Sequence, residues 1–406
     1  MKVLMLGWEL PPHNSGGLGV ACYNMAKSLA RKGIDIDFVV PYLAEHPKID
    51  FMNILNATTL DPIFRHGGGP YTREILTPLE GVSLPTSETI SIRDIQEIYC
   101  NYVDVYLEEN DPSCVHAHDW LTFEAGMLAK NRYGVPLVAH VHATEYDRSG
   151  MNGGNKLIHE IEHEGLVMAD KIFAVSNATK NIIHEKYGIP LEKIDIAYNS
   201  LDEDFQNTPY NYNSSDVAYL EKKKSEGYTI ISTVGRFTIQ KGLYHFMRAA
   251  RLALKENPKL LFVFAGDGEE RNELLALAAS YGISKNVVFT GFIRGKELRD
   301  IYSVSDVFVM SSVSEPFGLT ALEAAYFGDI LILTKQSGVS EVLKSAIKYD
   351  FWDEQKLADE ILAVSGSKAL RDTLRSHVKR EYLKISWDDI ADEIIKVYNK
   401  LGKHKE

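Results

Sequence analysis

The sequence predicts an α/β protein made of two doubly wound domains in tandem, and three observations support this prediction. The chain has 406 residues, more than a single hydrophobic core usually serves. Apolar runs alternate with helical patterns, as in parallel sheets covered on both faces. The polar stretch NTPYNYNSSD, residues 207–216, divides this alternation into two series and is the best linker candidate. We therefore place the domain boundaries at 1–204 and 205–385.

The first series begins with the apolar strand KVLMLGW and the loop ELPPHNSGG. A helix is expected over about 18–31, because Ala21, Met25 and Leu29 recur at helical spacing. The region 42–91 shows no regular pattern and contains HGGGP, so we interpret it as an insertion or long loop. The other predicted strands of this series are IDIDFVVP, CVHAH, PLVAHVH, KIFAVS and KIDIAYN.

The second series starts at Tyr228 and repeats the same alternation. Its predicted strands are YTIISTVGRF, LLFVFAGDG, NVVFTGF, DVFVMSS and DILILTK. In doubly wound sheets, ligands bind beyond the carboxyl ends of the strands. Candidate functional residues are therefore sought in the segments that follow these strands.

Composition narrows the classes of function. The chain is 45% hydrophobic and 25% charged, as in ordinary globular proteins, and its net charge of -12 argues against nucleic acid as a partner. No apolar run reaches the length of a membrane span, and the N-terminus is interpreted as a strand rather than a signal peptide. Basic runs such as Lys222–Lys224 allow a weak peripheral contact with an anionic membrane, although a solvated surface is the favoured interpretation. Cys22, Cys100 and Cys114 lack CxxC spacing, which indicates a reducing cytoplasm.

The first candidate motif, HNSGGLGVA, follows the first predicted strand and opens a helix. Adjacent Gly16 and Gly17 would let the backbone approach a phosphate or sugar, and a helix N-terminus favours negative charge. The motif does not match GxGxxG, because Cys22 stands where the third glycine belongs. A tight strand-to-helix turn explains it equally well.

Paired histidines end two predicted strands, in VHAHDW and VAHVHATE. Alternation along a strand points both imidazoles of a pair to one face. A metal site of a hydrolase is one interpretation, and packed or hydrogen-bonded histidines are the favoured one, since no later segment supplies further ligands in a recognisable pattern. The candidate ligands are His116, His118, His140 and His142, with Asp119 and Glu145 nearby.

Two further motifs belong to the second series. In VGRFTIQKG, Arg236 and Lys241 follow a strand and suit a diphosphate. In SEPFGLTALEA a helix begins after Gly318, so its first amides could bind the same phosphate. Glu323 in the second turn suits a ribose diol, and Glu315 suits sugar hydroxyls. Glu315 could alternatively be present because a negative charge near a helix N-terminus stabilises the helix dipole. This alternative does not explain Glu323, which lies among apolar residues.

Together these motifs resemble those of the retaining glycosyltransferases of family 4 and the related glycogen and starch synthases. The resemblance extends over GGL, HAHDW, HVHATE, ADKIFAVS, VGRFTIQKG, FAGDGEE, FTGFI and EPFGLTALEA. It implies the GT-B fold, with two Rossmann-like domains facing a central cleft. The N-terminal domain would bind the acceptor and the C-terminal domain the nucleotide sugar. The last helix, about 386–406, would cross back to the first domain.

The resemblance also implies roles for individual residues. Arg236 and Lys241 would neutralise the donor diphosphate, and His142 would contact the sugar and stabilise positive charge at its anomeric carbon. Asp119 and His118 would line the acceptor side. The catalytic candidates are His142, Arg236, Lys241 and Glu315, and the donor-binding candidates are Gly16, Gly17, Arg236, Lys241, Glu315, Phe317, Gly318, Leu319, Thr320 and Glu323.

The predicted activity is transfer of a hexose, glucose being favoured, from a UDP-, ADP- or GDP-sugar to a carbohydrate or other hydroxyl acceptor. The resemblance implies retention of configuration, no metal and no cofactor, and no residue stands out as a carboxylate nucleophile. Bacterial glycogen synthases typically read Lys-Thr before GGL, whereas this chain has Asn14-Ser15. Glycogen or starch synthesis is therefore one alternative. The others are a sugar-nucleotide epimerase of the same fold, a metal-dependent hydrolase and a non-catalytic sugar-nucleotide binding module.

Overall fold

The computed structural model describes residues 1–13, 16–46, 49–58, 91–201, 205 and 215–402. Most of the predicted insertion 42–91, and all but the end of the predicted linker 207–216, lie outside these residues. The chain divides into two compact units. Unit 1 is Met1–Arg148, Gly153–Asn199 and Ser386–Glu406, and unit 2 is Ser149–Asn152 and Ser200–Ile385.

Unit 1 contains a seven-stranded parallel sheet in the order β3-β2-β1-β4-β5-β6-β7. Most of its strands are buried and largely apolar, as expected for a sheet covered on both faces, and the edge strand Asn53–Asn56 is only half-buried. The strands are β1 (Lys2–Leu6), β2 (Asp35–Val40), β3 (Asn53–Asn56), β4 (Cys114–His118), β5 (Leu137–Val141), β6 (Lys171–Ala174) and β7 (Ile194–Ile196).

Helices cover the sheet of unit 1. The predicted helix is confirmed as α1 (Gly17–Arg31), and its buried face includes Ala21, Met25 and Leu29. Ser91 and Asp94 form a capping box at the start of the next helix, α2 (Ile92–Glu109). The other helices are α3 (Trp120–Tyr133), α4 (Glu145–Arg148), α5 (Lys156–Met168), α6 (Asn177–Tyr187) and, at the end of the chain, α14 (Trp387–Gly402).

The last helix, α14, packs on α1 within unit 1. Its Ile390 and Ile394 belong to the same buried cluster as Met25. Asp388 at its start accepts a hydrogen bond from Ser28 Oγ at 2.5 Å and from Arg31 at 3.0 Å. These contacts fix the C-terminal segment to the sheet that begins the chain.

Unit 2 contains a six-stranded parallel sheet in the order β10-β9-β8-β11-β12-β13. The two sheets confirm the prediction of two doubly wound α/β domains. The strands are β8 (Thr229–Val234), β9 (Leu260–Ala265), β10 (Val287–Gly291), β11 (Val307–Met310), β12 (Ile330–Thr334) and β13 (Ile347–Tyr349). The helices are α7 (Ser215–Ser225), α8 (Leu243–Glu256), α9 (Arg271–Ser280), α10 (Lys296–Val304), α11 (Leu319–Phe327), α12 (Glu354–Gly366) and α13 (Lys368–Tyr382).

Strand order reverses once in each sheet, between β1 and β4 in unit 1 and between β8 and β11 in unit 2. At such a switch point the connections leave in opposite directions and open a crevice at the carboxyl ends of the strands. The glycine motif follows β1, and HAHDW spans the end of β4. The Arg-Lys motif and SEPFG follow β8 and β11. The fold therefore places each pair of motifs at a switch point.

Candidate functional site

In unit 2, the segments after β8 and β11 meet through an ion pair. Lys241 Nζ lies 2.6 Å from Glu315 Oε2, and the two side chains are 26% and 10% exposed. Ser312 Oγ donates to the same carboxylate oxygen at 2.9 Å. A cavity at this point is lined in part by Gly235, Lys241, Ser312, Glu315 and Thr320. The structure thus brings together three of the predicted donor-binding residues, Lys241, Glu315 and Thr320.

The loop that carries Lys241 is held tightly against the end of β11. Ser311 Oγ donates to the Lys241 carbonyl at 2.9 Å, and Val313 N donates to Gln240 O at 2.8 Å. Gly242 has φ 60°, and a Cβ there would lie 2.2 Å from the Ser311 carbonyl oxygen. Only glycine fits this close approach. The position of Lys241 therefore depends on a close backbone contact that is possible only with glycine at position 242.

Helix α11 begins directly beyond the ion pair. Gly318 precedes it with φ 110°, in a turn where a Cβ would crowd Met310 and Glu315. Phe317 is buried, and its carbonyl accepts from Val339 N at 2.7 Å. The amides of Leu319 and Thr320 lie in the first turn, where a helix has no carbonyl of its own to satisfy them. This end of α11 thus offers amide donors beside the lysine.

Glu323 is held by a residue that the sequence did not single out. Tyr302 OH donates to Glu323 Oε2 at 2.7 Å. Tyr302 is fully buried, and its ring stacks on Phe327 with centroids 5.8 Å apart. Burial, followed by the charge of Glu323, raises the pKa of Tyr302 well above its ordinary value. The hydroxyl therefore remains a donor and fixes the carboxylate in one orientation.

Arg236 follows Gly235 in the loop after β8 and is half-buried. Its carbonyl accepts from Thr238 N at 3.0 Å, which closes a tight turn between the strand and the lysine. The predicted role of the guanidinium on the diphosphate stays a prediction.

In unit 1, Asp119 holds the turn that contains His142. Its Oδ1 accepts from His142 N at 2.6 Å and from Ala143 N at 3.3 Å. Asp119 is 1% exposed and has φ 60°, a conformation that costs a residue with a side chain about 1–3 kcal/mol. Burial raises the pKa of Asp119 to about 7, against the opposing effects of Arg148 and the two amides. The acceptor role of Asp119 stays a prediction, and the structure adds a positioning role.

A second carboxylate, that of Glu162, fixes the residues that follow His142 through hydrogen bonds. Glu162 accepts from Glu145 N at 2.9 Å and from Arg148 Nη2 at 2.5 Å. Arg148 also donates to Ala143 O at 2.8 Å. Tyr187 OH donates to Glu162 as well. Neither Glu162 nor Arg148 was predicted, because each appears in the sequence as an ordinary charged residue of a helix.

The predicted histidines lie together in unit 1. The rings of His116 and His118 stack at 4.4 Å between centroids, as do those of His140 and His142, which confirms that each pair shares one face of its strand. His118 Nδ1 lies 2.9 Å from His142 Nε2. Burial lowers the pKa of His142 to about 3, so the ring that is expected to contact the sugar is neutral.

The two glycines at the start of α1 differ in their surroundings. Gly16 N donates to Glu9 Oε2 at 3.1 Å, and a Cβ at Gly16 would lie 2.8 Å from the same oxygen. A Cβ at Gly17 would meet no atom within 4 Å. The buried Glu9 was missed in the sequence, although a carboxylate directly after an apolar strand, in GWELPP, is a usable signal.

Two Rossmann-like units with these sites define a glycosyltransferase of the GT-B type. The chain matches the model of Glycosyltransferase Family 4 over residues 15–205 and that of Glycosyl transferases group 1 over residues 219–381. It belongs to this family, as the sequence motifs predicted. None of the helices in the described part of the chain has the length and hydrophobicity that crossing a membrane requires.

Characterised and uncharacterised relatives align over nearly the whole chain. An uncharacterised glycosyltransferase of Methanocaldococcus jannaschii is 29% identical, with 98% of each chain covered. A glycogen synthase of Mycobacterium tuberculosis is 25% identical over 98% of this chain and 94% of its own. The chain is thus related to glucan-forming glycosyltransferases.

Solved structures show the same fold. Sucrose-phosphate synthase from Thermosynechococcus elongatus superposes with a TM-score of 0.75 at 17% identity, covering 99% of both chains. The Anabaena protein HepE, in complex with UDP-glucose, gives a TM-score of 0.71 at 16% identity over 98% of this chain and 100% of that one.

Proposed function

We propose that this glycosyltransferase moves a hexose from a nucleoside diphosphate sugar to a hydroxyl acceptor, with retention of configuration and without a metal ion. The observation that carries the proposal is the constellation of Lys241, Glu315 and the start of α11 at the β8/β11 switch point. A cation and a row of helix amides suit a diphosphate. A carboxylate and a hydroxyl beside them suit sugar hydroxyls.

In the proposed donor complex, Lys241 would have two anionic partners, the Glu315 carboxylate and the donor diphosphate. Without donor, Glu315 and the hydrogen bond from Ser312 hold the ammonium and the carboxylate in place. An arriving diphosphate would share the ammonium and release part of the Glu315 carboxylate for a sugar hydroxyl. Donor binding and sugar orientation would then be linked through one contact.

Glu323 would accept hydrogen bonds from the ribose diol. Tyr302 occupies its Oε2 atom, and a carboxylate has further lone pairs for a diol. The donor would therefore be anchored at its ribose, at its diphosphate and at its sugar by three different parts of unit 2.

In the transfer step, the bond from the anomeric carbon to the diphosphate oxygen breaks and its electron pair leaves with the diphosphate. Lys241 and the α11 amides would stabilise that negative charge. The acceptor hydroxyl forms the new bond on the same face and gives its proton to the leaving phosphate oxygen. His142, through its carbonyl or ring, is assigned to the positive charge at the anomeric carbon on the basis of the family resemblance.

Glucose is the favoured hexose, and extension of an α-1,4-glucan is the second candidate. Both are favoured by the similarity to a glycogen synthase over nearly the whole chain. Glucose is also favoured by a structural neighbour that was solved with UDP-glucose. The nucleotide of the donor is left open among UDP, ADP and GDP.

Product analysis tests this proposal. The protein is incubated with an α-linked UDP-, ADP- or GDP-hexose and a glucan or simple sugar acceptor, with EDTA present, and products are followed by NMR. We expect free nucleoside diphosphate and an α-glycoside in equal amounts. An altered nucleotide sugar without free nucleotide would indicate an epimerase, a β-glycoside would reject retention, and activity abolished by EDTA would reject metal independence.

A further inference from the structure

Four imidazoles at the ends of β4 and β5 form two hydrogen-bonded pairs. His116 Nε2 lies 3.2 Å from His140 Nδ1, and His118 Nδ1 lies 2.9 Å from His142 Nε2. His116, His118 and His140 are fully buried, and His142 is 9% exposed. The proposed transfer uses only one or two of these rings. The others form a cluster of nitrogen donors that the function leaves unexplained.

Three ring nitrogens in this cluster lack a hydrogen-bond partner among the described residues. They are His118 Nε2, His140 Nε2 and His142 Nδ1. In a hydrogen-bonded pair one of the two facing nitrogens carries the shared proton, and a proton moved to the unpartnered nitrogen of the same ring leaves both facing nitrogens with a lone pair. Burial lowers the pKa of all four histidines. Neutral imidazoles keep one lone pair each, which is the form that binds a metal ion.

Helix α1 supplies a sulfur donor to the same place. One atom each of Cys22, His118 and His142 lie within 4.8 Å of one another, and Cys22 is fully buried. Two donors of a tetrahedral zinc ion are about 3.3–3.6 Å apart, as its bond lengths require. Side-chain movements of about 1 Å would therefore close the three donors around an ion.

A second triad, His116, His118 and His140, is also close enough to share an ion. It is the weaker candidate because both ring nitrogens of His116 are engaged, one by Tyr398 OH at 2.5 Å and one by His140. In the Cys22 set, the facing nitrogens His118 Nδ1 and His142 Nε2 are the donors, and each ring has a second nitrogen without a partner among the described residues that can carry the proton. The set that includes Cys22 also adds a thiolate, which binds borderline and soft cations strongly.

We propose that Cys22, His118 and His142 form a binding site for a divalent transition ion of the zinc and cobalt class. Binding releases the thiol proton as the sulfur–metal bond forms. Hard cations such as Mg²⁺ and Ca²⁺ are excluded by the lack of oxygen donors in this set. Burial, followed by the charges of Asp119 and Glu9, raises the pKa of the Cys22 thiol well above its ordinary value. The same negative charges favour a cation there.

The ion would inhibit transfer rather than assist it, and this part rests on the proposed function. A metal ion on His142 fixes the ring that is assigned to the transferred sugar. The proposed reaction itself uses no metal. The site would thus make the enzyme sensitive to zinc while leaving it active in a chelator.

Cobalt titration of metal-free protein tests the site directly. We expect one Co²⁺ per chain, with the visible bands of a tetrahedral ion and a sulfur-to-cobalt charge-transfer band, and displacement by Zn²⁺. Cys22→Ser should lose the charge-transfer band, whereas Cys100→Ser, which removes a half-buried thiol on α2, should keep it. His142→Asn should weaken binding at least 10-fold and serves if Cys22→Ser does not fold.

No stoichiometric binding to the wild type, or a wild-type spectrum in Cys22→Ser, would overturn the site. Inhibition is measured separately as the transfer rate with Zn²⁺ relative to the rate of the same variant in EDTA. We expect inhibition in the wild type and in Cys100→Ser, and relief in Cys22→Ser. A protein that binds Co²⁺ through Cys22 but transfers no hexose would reject the proposed function and keep the metal site.

Discussion

Lys241 Nζ lies 2.6 Å from Glu315 Oε2. This ion pair joins the segments that follow two neighbouring strands, β8 and β11. The pair keeps an ammonium and a carboxylate ordered while each is partly buried. It also links the expected diphosphate contact to the expected sugar contact.

Lys241→Ala should reduce turnover about 100-fold or more, since the loss of one preorganised donor to a leaving group costs about 3 kcal/mol. The variant also leaves the Glu315 carboxylate beside an anionic donor. The measurement is the turnover number at saturating donor. Lys335→Ala is the matched control, because Lys335 is a lysine of the same unit that pairs with Asp350 at the surface. Equal turnover in the two variants would contradict the role of Lys241.

Tyr302→Phe should raise the KM for the donor about 10- to 100-fold with a smaller change in kcat, since a hydrogen bond to a charged group contributes about 1.5–3 kcal/mol. The specific readout is the loss of preference for a ribose over a 2′-deoxyribose nucleotide. Tyr349→Phe is the control, because Tyr349 is also fully buried and its hydroxyl makes no hydrogen bond within the described residues. If Tyr302→Phe keeps the ribose preference while Glu323→Ala loses it, the positioning role of Tyr302 is wrong.

Gly242→Ala should destabilise unit 2 more than Gly328→Ala. Both glycines have positive φ, 60° and 82°, so alanine costs about 1–2 kcal/mol at either position. Only at Gly242 would the new Cβ meet a backbone oxygen, that of Ser311 at 2.2 Å. Urea unfolding of the two variants measures the difference, and Gly242→Ala should also lower activity by moving Lys241. Equal destabilisation of the two variants would contradict this expectation, because the loop at Gly242 would then move away from the Ser311 oxygen without a loss of folding free energy.

Asp119→Asn should become more stable relative to the wild type as the pH rises from about 4 to 7. The pKa of Asp119 is raised to about 7 in the folded protein, above its value in the unfolded chain. Ionisation therefore disfavours the folded state, and wild-type stability falls with rising pH across this window. Asparagine keeps an oxygen acceptor for His142 N and removes the charge. Urea unfolding at several pH values checks this, and a difference that does not vary with pH would contradict it.

The parallel sheets and the placement of Lys241 and Glu315 at one site could be predicted, because apolar runs mark the strands and their carboxyl ends share one edge. The ion pair between the two residues was not predicted. The Tyr302–Glu323 contact could not, since Tyr302 appears as one aromatic residue of an amphipathic helix. Asp119 was predicted to face an acceptor, and neither its positive φ nor the hydrogen bonds from the amides of His142 and Ala143 to its carboxylate could be predicted from the sequence.

The histidine cluster shows the same limit. The spacing within each HxH motif predicted which rings share a face. The pairings between motifs depend on the register of β4 and β5, in which His118 lies beside His140, and the approach of Cys22 depends on how α1 packs on the sheet. Such long-range relationships are set by tertiary packing, which periodicity in one segment does not encode.

The most direct test of the central claim is nucleotide release from UDP-, ADP- and GDP-hexoses, each with and without a glucan primer. We expect release from at least one of these donors, stimulated by an acceptor and reduced about 100-fold or more in Lys241→Ala. Chain extension of the primer would identify a glucan synthase. No release from any of the donors in the presence of the acceptors, or release that is unchanged in Lys241→Ala, would contradict the proposed hexosyl transfer at this site.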